Sequence, residues 1–363
     1  MLVYQQFLEL LRCGLYTKSP DLSLFESVNW EGLFALSKEQ TVVGVISDGI
    51  ELLPAELQPP RLLRLKWVML VRQIELLNEK LDSRVKEICD VFTVMGLDPM
   101  VIKGQVISRL YPRPGHRQAG DIDLFFGNSH DADAANVWAK NNARCHSEVN
   151  EKELAYTWNG VIVENHIRLA DMQYRRYQDR LQEIIRHELI NGDERFVDIA
   201  GARVKTLSAA LTILHLIIHI QYHLLNEGLG WRQMCDLALA LYNDELNQSL
   251  DRDVFKTYLA DIGLTRMAGA IGCVLSETLG LATDEIPFDV SSFGADVIVD
   301  DIWTGGNFGK KRFAFKADAG FMRQKIMALP LHWQQYMKYR NLLPNEAKAN
   351  FLMKFKRAAK GIK

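Results

Sequence analysis

The chain has 363 residues, 48% of them hydrophobic and 24% charged, with 43 Lys and Arg against 45 Asp and Glu. That length exceeds one comfortable core and the composition is ordinary for a globular protein, so two or three packed units are expected and disorder, collagen and small disulfide scaffolds are excluded. The near-neutral total hides an asymmetry: residues 310–363 carry 14 basic side chains and only Asp318 and Glu346, so a body of net charge −14 is joined to a +12 tail.

Residues 1–95 read as helical. The opening MLVYQQFLELLRCGLY spaces its apolar residues like a helix and lacks the basic start and small-residue cleavage site of a signal peptide. Trp30 to Leu36 and Leu62 to Phe92 repeat the spacing, with Pro54, Pro59 and Pro60 between them. Five scattered cysteines without a C-x-x-C pair indicate a reduced, cytoplasmic protein.

The texture changes after Met95-Gly96. A short apolar run, Met100 to Ile102, predicts a strand ending at Lys103-Gly104. Gln105 to Tyr111 predicts one or two helical turns, and Pro112 to Gly120 a basic loop. Asp121 to Phe126 alternates like a strand, and Ser129 is expected to cap a helix with Asp131 and Asp133 in its first turn. Glu153 to Trp158 and Val161 to Leu169 flank Asn159-Gly160, a strong hairpin signal, and a second hairpin turns at Ala200-Gly201. Helices are expected from Ser208 to about residue 285. The most apolar stretch, Leu211 to Leu225, is interrupted by three histidines and predicts a buried helix rather than a membrane span.

The chemistry concentrates between residues 101 and 124. A strand alternates faces, so Asp121 and Asp123 project from one side while Ile122 and Leu124 enter the core. Two carboxylates aimed at one point repel, and a hard divalent cation resolves the conflict. Lys103 offers a point charge suited to phosphate, Gly104 a close backbone approach, and Arg117 a planar fork of donors. Carboxylates for Mg²⁺ together with cations for a polyphosphate are what phosphoryl or nucleotidyl transfer requires.

In these residues the chain resembles the nucleotidyltransferase superfamily of polymerase-beta-like fold. More closely, it is similar to a family of uncharacterised bacterial nucleotidyltransferases with Lys-Gly, Tyr-Pro, Arg and Gly-Asp-Ile-Asp-Leu, here Lys103-Gly104, Tyr111-Pro112, Arg117 and Gly120 to Leu124. The likeness extends to Val163-Glu164-Asn165-His166 and to the helix around His215 and His219. The chain departs from the superfamily in having Gly104-Gln105 where Gly-Ser or Gly-Gly is usual, and in a longer step to Asp121 that carries Arg109, Arg113, His116 and Arg117.

The resemblance implies an α+β fold: a small mixed-sheet core at 96–206, flanked by helical segments at 1–95 and 207–300 and a basic, aromatic tail at 301–363. It implies that Asp121 and Asp123 hold metals bridging the nucleotide phosphates, in a two-metal Mg²⁺ site with Glu164 as third carboxylate. Lys103, Gly104 and Arg117 would bind phosphate, and Arg109, His166 and His219 would line the cleft. The reaction implied is transfer of an NMP from an NTP, ATP by family habit, to a hydroxyl on a small molecule or protein. A catalytically silent nucleotide-binding or scaffold protein is the alternative.

His215, His219 and His223 form one helical stripe, open to three readings: a zinc site, a polar wall of the cleft, or packed helix histidines. Arg232 and Asp236 are spaced for a helix ion pair. The tail interleaves Phe313, Phe315, Phe321, Trp333, Tyr336, Tyr339, Phe351 and Phe355 with its basic residues. It fits three partners: the acidic body of the same chain, an anionic membrane surface, or nucleic acid.

Overall fold

In the computed structural model the alternation of residues 121–125 becomes the second strand of a five-stranded mixed sheet. Described are residues 2–146, 153–305 and 321–360, with side chains from 329 to 356 in the last stretch. Phe313, Phe315 and the side chain of Phe321 lie outside them. Four helices come first: α1 Leu2–Tyr16, α2 Trp30–Glu39, α3 Val43–Glu51 and the long α4 Arg61–Val94. The core follows as β1 Met100–Ile102, α5 Gly104–Ser108, β2 Asp121–Phe125, α6 Ser129–Asn142, β3 Arg144–Cys145, β4 Glu153–Trp158, β5 Val161–His166, α7 Arg175–Asn191, β6 Arg195–Ile199 and β7 Ala202–Thr206. Helices α8 Ala209–Asn226, α9 Trp231–Tyr242, α10 Asp244–Gln248, α11 Arg252–Asp261, α12 Thr265–Leu279, α13 Ala295–Gly305, α14 Phe321–Tyr339 and α15 Pro344–Lys360 complete the chain.

The strand order is β1-β2-β5-β4-β3, with β2 and β5 parallel and the other pairs antiparallel. The β4–β5 turn works because Asn159 and Gly160 both take positive φ, +47° and +75°, as a two-residue hairpin requires. Strands β6 and β7 form a separate hairpin, tied to β1 by the Thr206 hydroxyl donating to the Val101 carbonyl at 2.7 Å. One expected cap moves by a residue: the Asn128 side chain, not Ser129, accepts the amide of Asp131 at the start of α6. The side-chain oxygen must stand outside the helix to reach back to an unpaired N–H.

The sheet separates two cores. On one face Ile122, Leu124, Tyr156 and Val163 are fully buried against Val85, Ile88 and Phe92 of α4 and Ala135 and Ala139 of α6. Toward the other face lies one larger cluster joining α1–α3 to α8–α13, with Ile102 and Phe125 at its edge. The N-terminal and C-terminal helices therefore share a core, although more than 200 residues separate Gln40 from Ile302, whose carbonyl accepts the buried Gln40 amide at 3.2 Å. Helix α8 is long and apolar enough to cross a membrane, but 78% of it is buried inside the protein. The sheet face bearing the carboxylates thus looks toward α8.

Candidate active site

Strand β1 delivers Lys103 to the sheet edge. Its backbone sits at φ +53°, ψ −130°, a region a non-glycine residue adopts only under constraint. In that conformation Nζ donates to Asp123 Oδ1 at 3.2 Å. Burial pulls the Lys103 pKa down, but Asp123, Asp121 and Glu164 outweigh it and raise the value, so the amine stays charged. Gly104 lines the same cavity, but a Cβ there would meet the Asp121 carbonyl at 3.4 Å, an ordinary contact. The close approach expected of Gly104 is therefore not what its position requires.

Pairing register brings the acids together. Asp123 on β2 stands opposite Glu164 on β5, and Phe125 opposite His166. A residue's neighbour two positions on shares its sheet face, so Asp121, Asp123, Glu164 and His166 converge. His166 Nε2 lies 2.8 Å from Asp123 Oδ1 and 3.5 Å from Glu164 Oε2. Ligand atoms of Asp123, Glu164 and His166 all fall within 4.8 Å of one another. This tight set includes His166 in place of Asp121, the residue the sequence suggested alongside Asp123 and Glu164.

The two aspartates titrate apart. Asp123 is wholly buried, yet Lys103 and His166 hold its carboxyl far below the usual carboxylate range. Asp121 is pushed up to about 6 by burial and by the charges of Asp123 and Glu164, with Lys103 and Arg232 pulling the other way. Burial and Lys103 depress His166, but its contacts with Asp123 and Glu164 prevail and raise it. Paired groups with diverging pKa values are a mark of functional sites.

Arg117 behaves differently from expectation. Its Nε and Nη2 donate to Asp236 Oδ1 and Oδ2 at 2.7 and 2.8 Å, and the Tyr111 hydroxyl donates to the same Oδ1 at 2.7 Å. A buried guanidinium needs a fixed counter-charge, and Asp236 supplies it bidentately. The fork expected for phosphate is thus taken, and Arg117 contributes to the cavity wall. The Arg232–Asp236 helix pair is replaced by this contact, and Arg232 Nη1 donates instead to the Gln118 carbonyl at 2.8 Å. Arg109 is bound to Asp82 and lines a separate pocket of about 190 Å³, away from the carboxylates.

Lys103, Gly104, Arg117, Asp121, Asp123 and Glu164 border a cavity of about 410 Å³, whereas His166, expected to line the cleft, is fully buried behind Asp123 and does not reach its surface. Its opposite wall is the α8 stripe: His215, His219 and His223 all line it, with Tyr222 and Glu227. His219 Nε2 and His223 Nε2 are 3.0 Å apart, so one donates to the other, and the Tyr222 hydroxyl donates to Glu227 at 3.1 Å. The stripe is thus a wall of the cavity and, through the His219–His223 contact, a hydrogen-bonded set of largely buried helix histidines at once. Sequence reasoning missed Glu153, Asp171, Glu227 and Arg232 as cavity residues. The spacing of Arg232 to Asp236 pointed to a helix pair and hid its role; the acids had no local signal. Six carboxylates face three cations around the cavity, an excess that suits a bound cation.

The model of a family described as uncharacterised nucleotidyltransferase matches residues 26–280, more than half of the sequence. The chain belongs to that family. This member of the family matches no curated protein. Among solved structures it is similar to an antigenic nucleotidyltransferase-like protein from Paracoccidioides brasiliensis, at 18% identity and a TM-score of 0.30, covering 62% of this chain and 95% of that one.

Proposed function

We propose that this nucleotidyltransferase-family chain moves an NMP from an NTP to an acceptor hydroxyl, on a small molecule or a protein, with pyrophosphate leaving and Mg²⁺ required. The observation that supports this most is the register of Asp123 against Glu164, with Asp121 two residues before and Lys103 alongside, all on one cavity. ATP is the default donor.

A hard divalent ion fits this donor set, since it takes carboxylate oxygens, and Asp121, Asp123 and Glu164 would hold it. When bound it supplies charge neutralisation on the phosphates and a more acidic attacking hydroxyl. His166 keeps Asp123 oriented through its 2.8 Å contact. Lys103 faces the phosphates as a point charge, and Arg232 takes the place first given to Arg117. The α8 wall, with His219 at its middle, bounds the acceptor side.

A second reading rests on Asp123 Oδ1, which Lys103 and His166 already engage. A site so compensated holds together without metal, and it serves a silent nucleotide-binding protein as well. Labelled NTP, Mg²⁺ and cell extract separate the two, with Asp123→Asn as control. Pyrophosphate release that vanishes in the variant supports transfer, and nucleotide binding with no transfer to any acceptor sinks it.

The chain is proposed to act in the cytoplasm. For the tail the favoured partner is the acidic body, through Lys338, whose Nζ is 2.8 Å from both Asp300 and Asp301. Membrane or nucleic-acid association remains for vesicle and salt-titration experiments to exclude.

A further inference from the structure

Residues 321–363 hold ten basic side chains and one acid, Glu346. That acid is buried, and its Oε1 and Oε2 accept the amides of Gln173 and Tyr174 at 2.5 and 2.9 Å, just before α7. A carboxylate there meets main-chain N–H groups outside the helix and the positive end of the α7 dipole. The remaining contacts of the α14–α15 pair fall on a helix end of opposite sign. At the C-terminus of α8 the Gln335 side chain donates to the Leu224 carbonyl, Lys354 Nζ to the Leu225 carbonyl at 2.9 Å, and the Asn350 amide to Asn226 Oδ1 at 3.0 Å. The last carbonyls of a helix lack partners within it, and a cation beside them faces the negative end of the dipole.

Both capped ends are walls of the active cavity. Asp171 and Gln173 line it immediately before α7, and Tyr222, His223 and Glu227 line it at the end of α8. Helices α14 and α15 pack on each other through Trp333 and Phe351, with ring centroids 5.4 Å apart, and are seated by the buried Tyr339, Leu342, Leu343 and Ala347. One hairpin therefore grips two separate wall segments. It lies beyond residue 280, where the match to the family ends.

We propose that the α14–α15 hairpin is a positioning element of the active site that fixes the acceptor side of the cavity, with Glu346 and Lys354 as its positioning residues; the word acceptor rests on the transfer reading above. None of the hairpin contacts named here reaches the strands that carry Lys103 and Asp123. Nucleotide binding on the sheet side is therefore independent of the hairpin, while the fit of the acceptor depends on it.

Hydrogen exchange on the full chain tests the grip without any ligand. Glu346→Gln sets an amide NH₂ against a main-chain N–H in place of one oxygen, so residues 171–175 should exchange about tenfold faster, the effect of one lost hydrogen bond to a charged group. Lys354→Met keeps the aliphatic stem, and its change should fall on residues 222–228, with β2 at the wild-type rate in both variants. With labelled ATP, Mg²⁺ and cell extract, transfer by either variant at saturating ATP should fall about tenfold, while the dissociation constant for ATP with Mg²⁺ stays within about twofold of wild type. Wild-type exchange in both segments, wild-type transfer in both variants, or ATP binding that weakens as much as transfer would each overturn the proposal. A wild type that neither binds nor transfers ATP sinks the transfer reading, and the exchange rates still decide whether the hairpin holds the two walls.

Discussion

Asp123 and Glu164 stand directly across from each other on two parallel strands whose residues are 41 positions apart, with His166 completing the set. Neither strand carries the site alone, and the parallel pairing places both carboxylates on one face of the sheet.

Asp123→Asn is expected to abolish pyrophosphate release and also to destabilise the fold. It removes the carboxylate that the buried Lys103 amine contacts, leaving only the more distant Asp121 and Glu164, a loss of up to about 3 kcal/mol by analogy with broken buried ion pairs. Urea unfolding of the metal-free protein measures the second effect independently of activity. An unchanged midpoint would show that the pair does not hold the site together.

Mg²⁺ or Mn²⁺ should raise the melting temperature of the wild type, because an ion that binds only the native state stabilises it by mass action. Glu164→Gln should blunt that rise while leaving the metal-free melt close to wild type, since Glu164 is only half-buried. Equal metal-induced shifts in both proteins would remove Glu164 from the ligand set.

Arg117→Ala should cost about 3–5 kcal/mol, because Asp236 is then buried with no counter-charge. Tyr111→Phe should cost about 1.5–3 kcal/mol, the range for a hydrogen bond to a charged group. Replacing Arg117 and Asp236 together by Met and Leu should recover most of the first loss. Chemical denaturation of the three variants tests the scheme, and a mild effect of Arg117→Ala would return Arg117 to the phosphates.

His116 ties the basic loop to the N-terminal helices, with Nδ1 2.7 Å from Asp48 and Nε2 3.1 Å from Glu75. Burial lowers its pKa, but the two carboxylates prevail and raise it above the ordinary value of about 6.5. The native state then holds the proton more tightly than the unfolded chain. The contribution is complete below the unfolded pKa and is lost as pH rises through the native one. Asp48 is also raised, by burial, and acts in the same direction at lower pH. Stability measured across this window should fall with pH in the wild type and run flatter in His116→Gln.

Leu343→Ala in the tail should cost about 2–5 kcal/mol, as for any fully buried leucine. Glu346→Gln should add to it, because Oε1 and Oε2 accept the Gln173 and Tyr174 amides at 2.5 and 2.9 Å just before α7. Thermal melts of the full chain decide whether residues 339–347 belong to the body or merely lie on it.

The legible parts of the sequence were those written over short distances. Period-two alternation gave β2, Asn159-Gly160 gave the hairpin that carries Glu164, and spacings of three and four gave α4 and α8, because each depends on dihedral preferences and side-chain directions within a few residues. The α+β class, the mixed sheet between helical segments and the choice of Asp121, Asp123, Glu164 and Lys103 as candidates followed from such signals and from the family resemblance, whereas the Lys103–Asp123 contact did not.

What only the tertiary structure decided is partnership. Arg117 meets Asp236 across 119 positions, Arg232 turns from its own helix to the Gln118 carbonyl, and His166 rather than Asp121 completes the tight cluster of donor atoms. The histidines of α8 face the cavity because the N-terminal and C-terminal helices share one core and seat α8 across from the sheet. A charged side chain has many partners available in sequence and takes the one that burial leaves within reach, so its chemical type is fixed by the sequence while its role is fixed by packing.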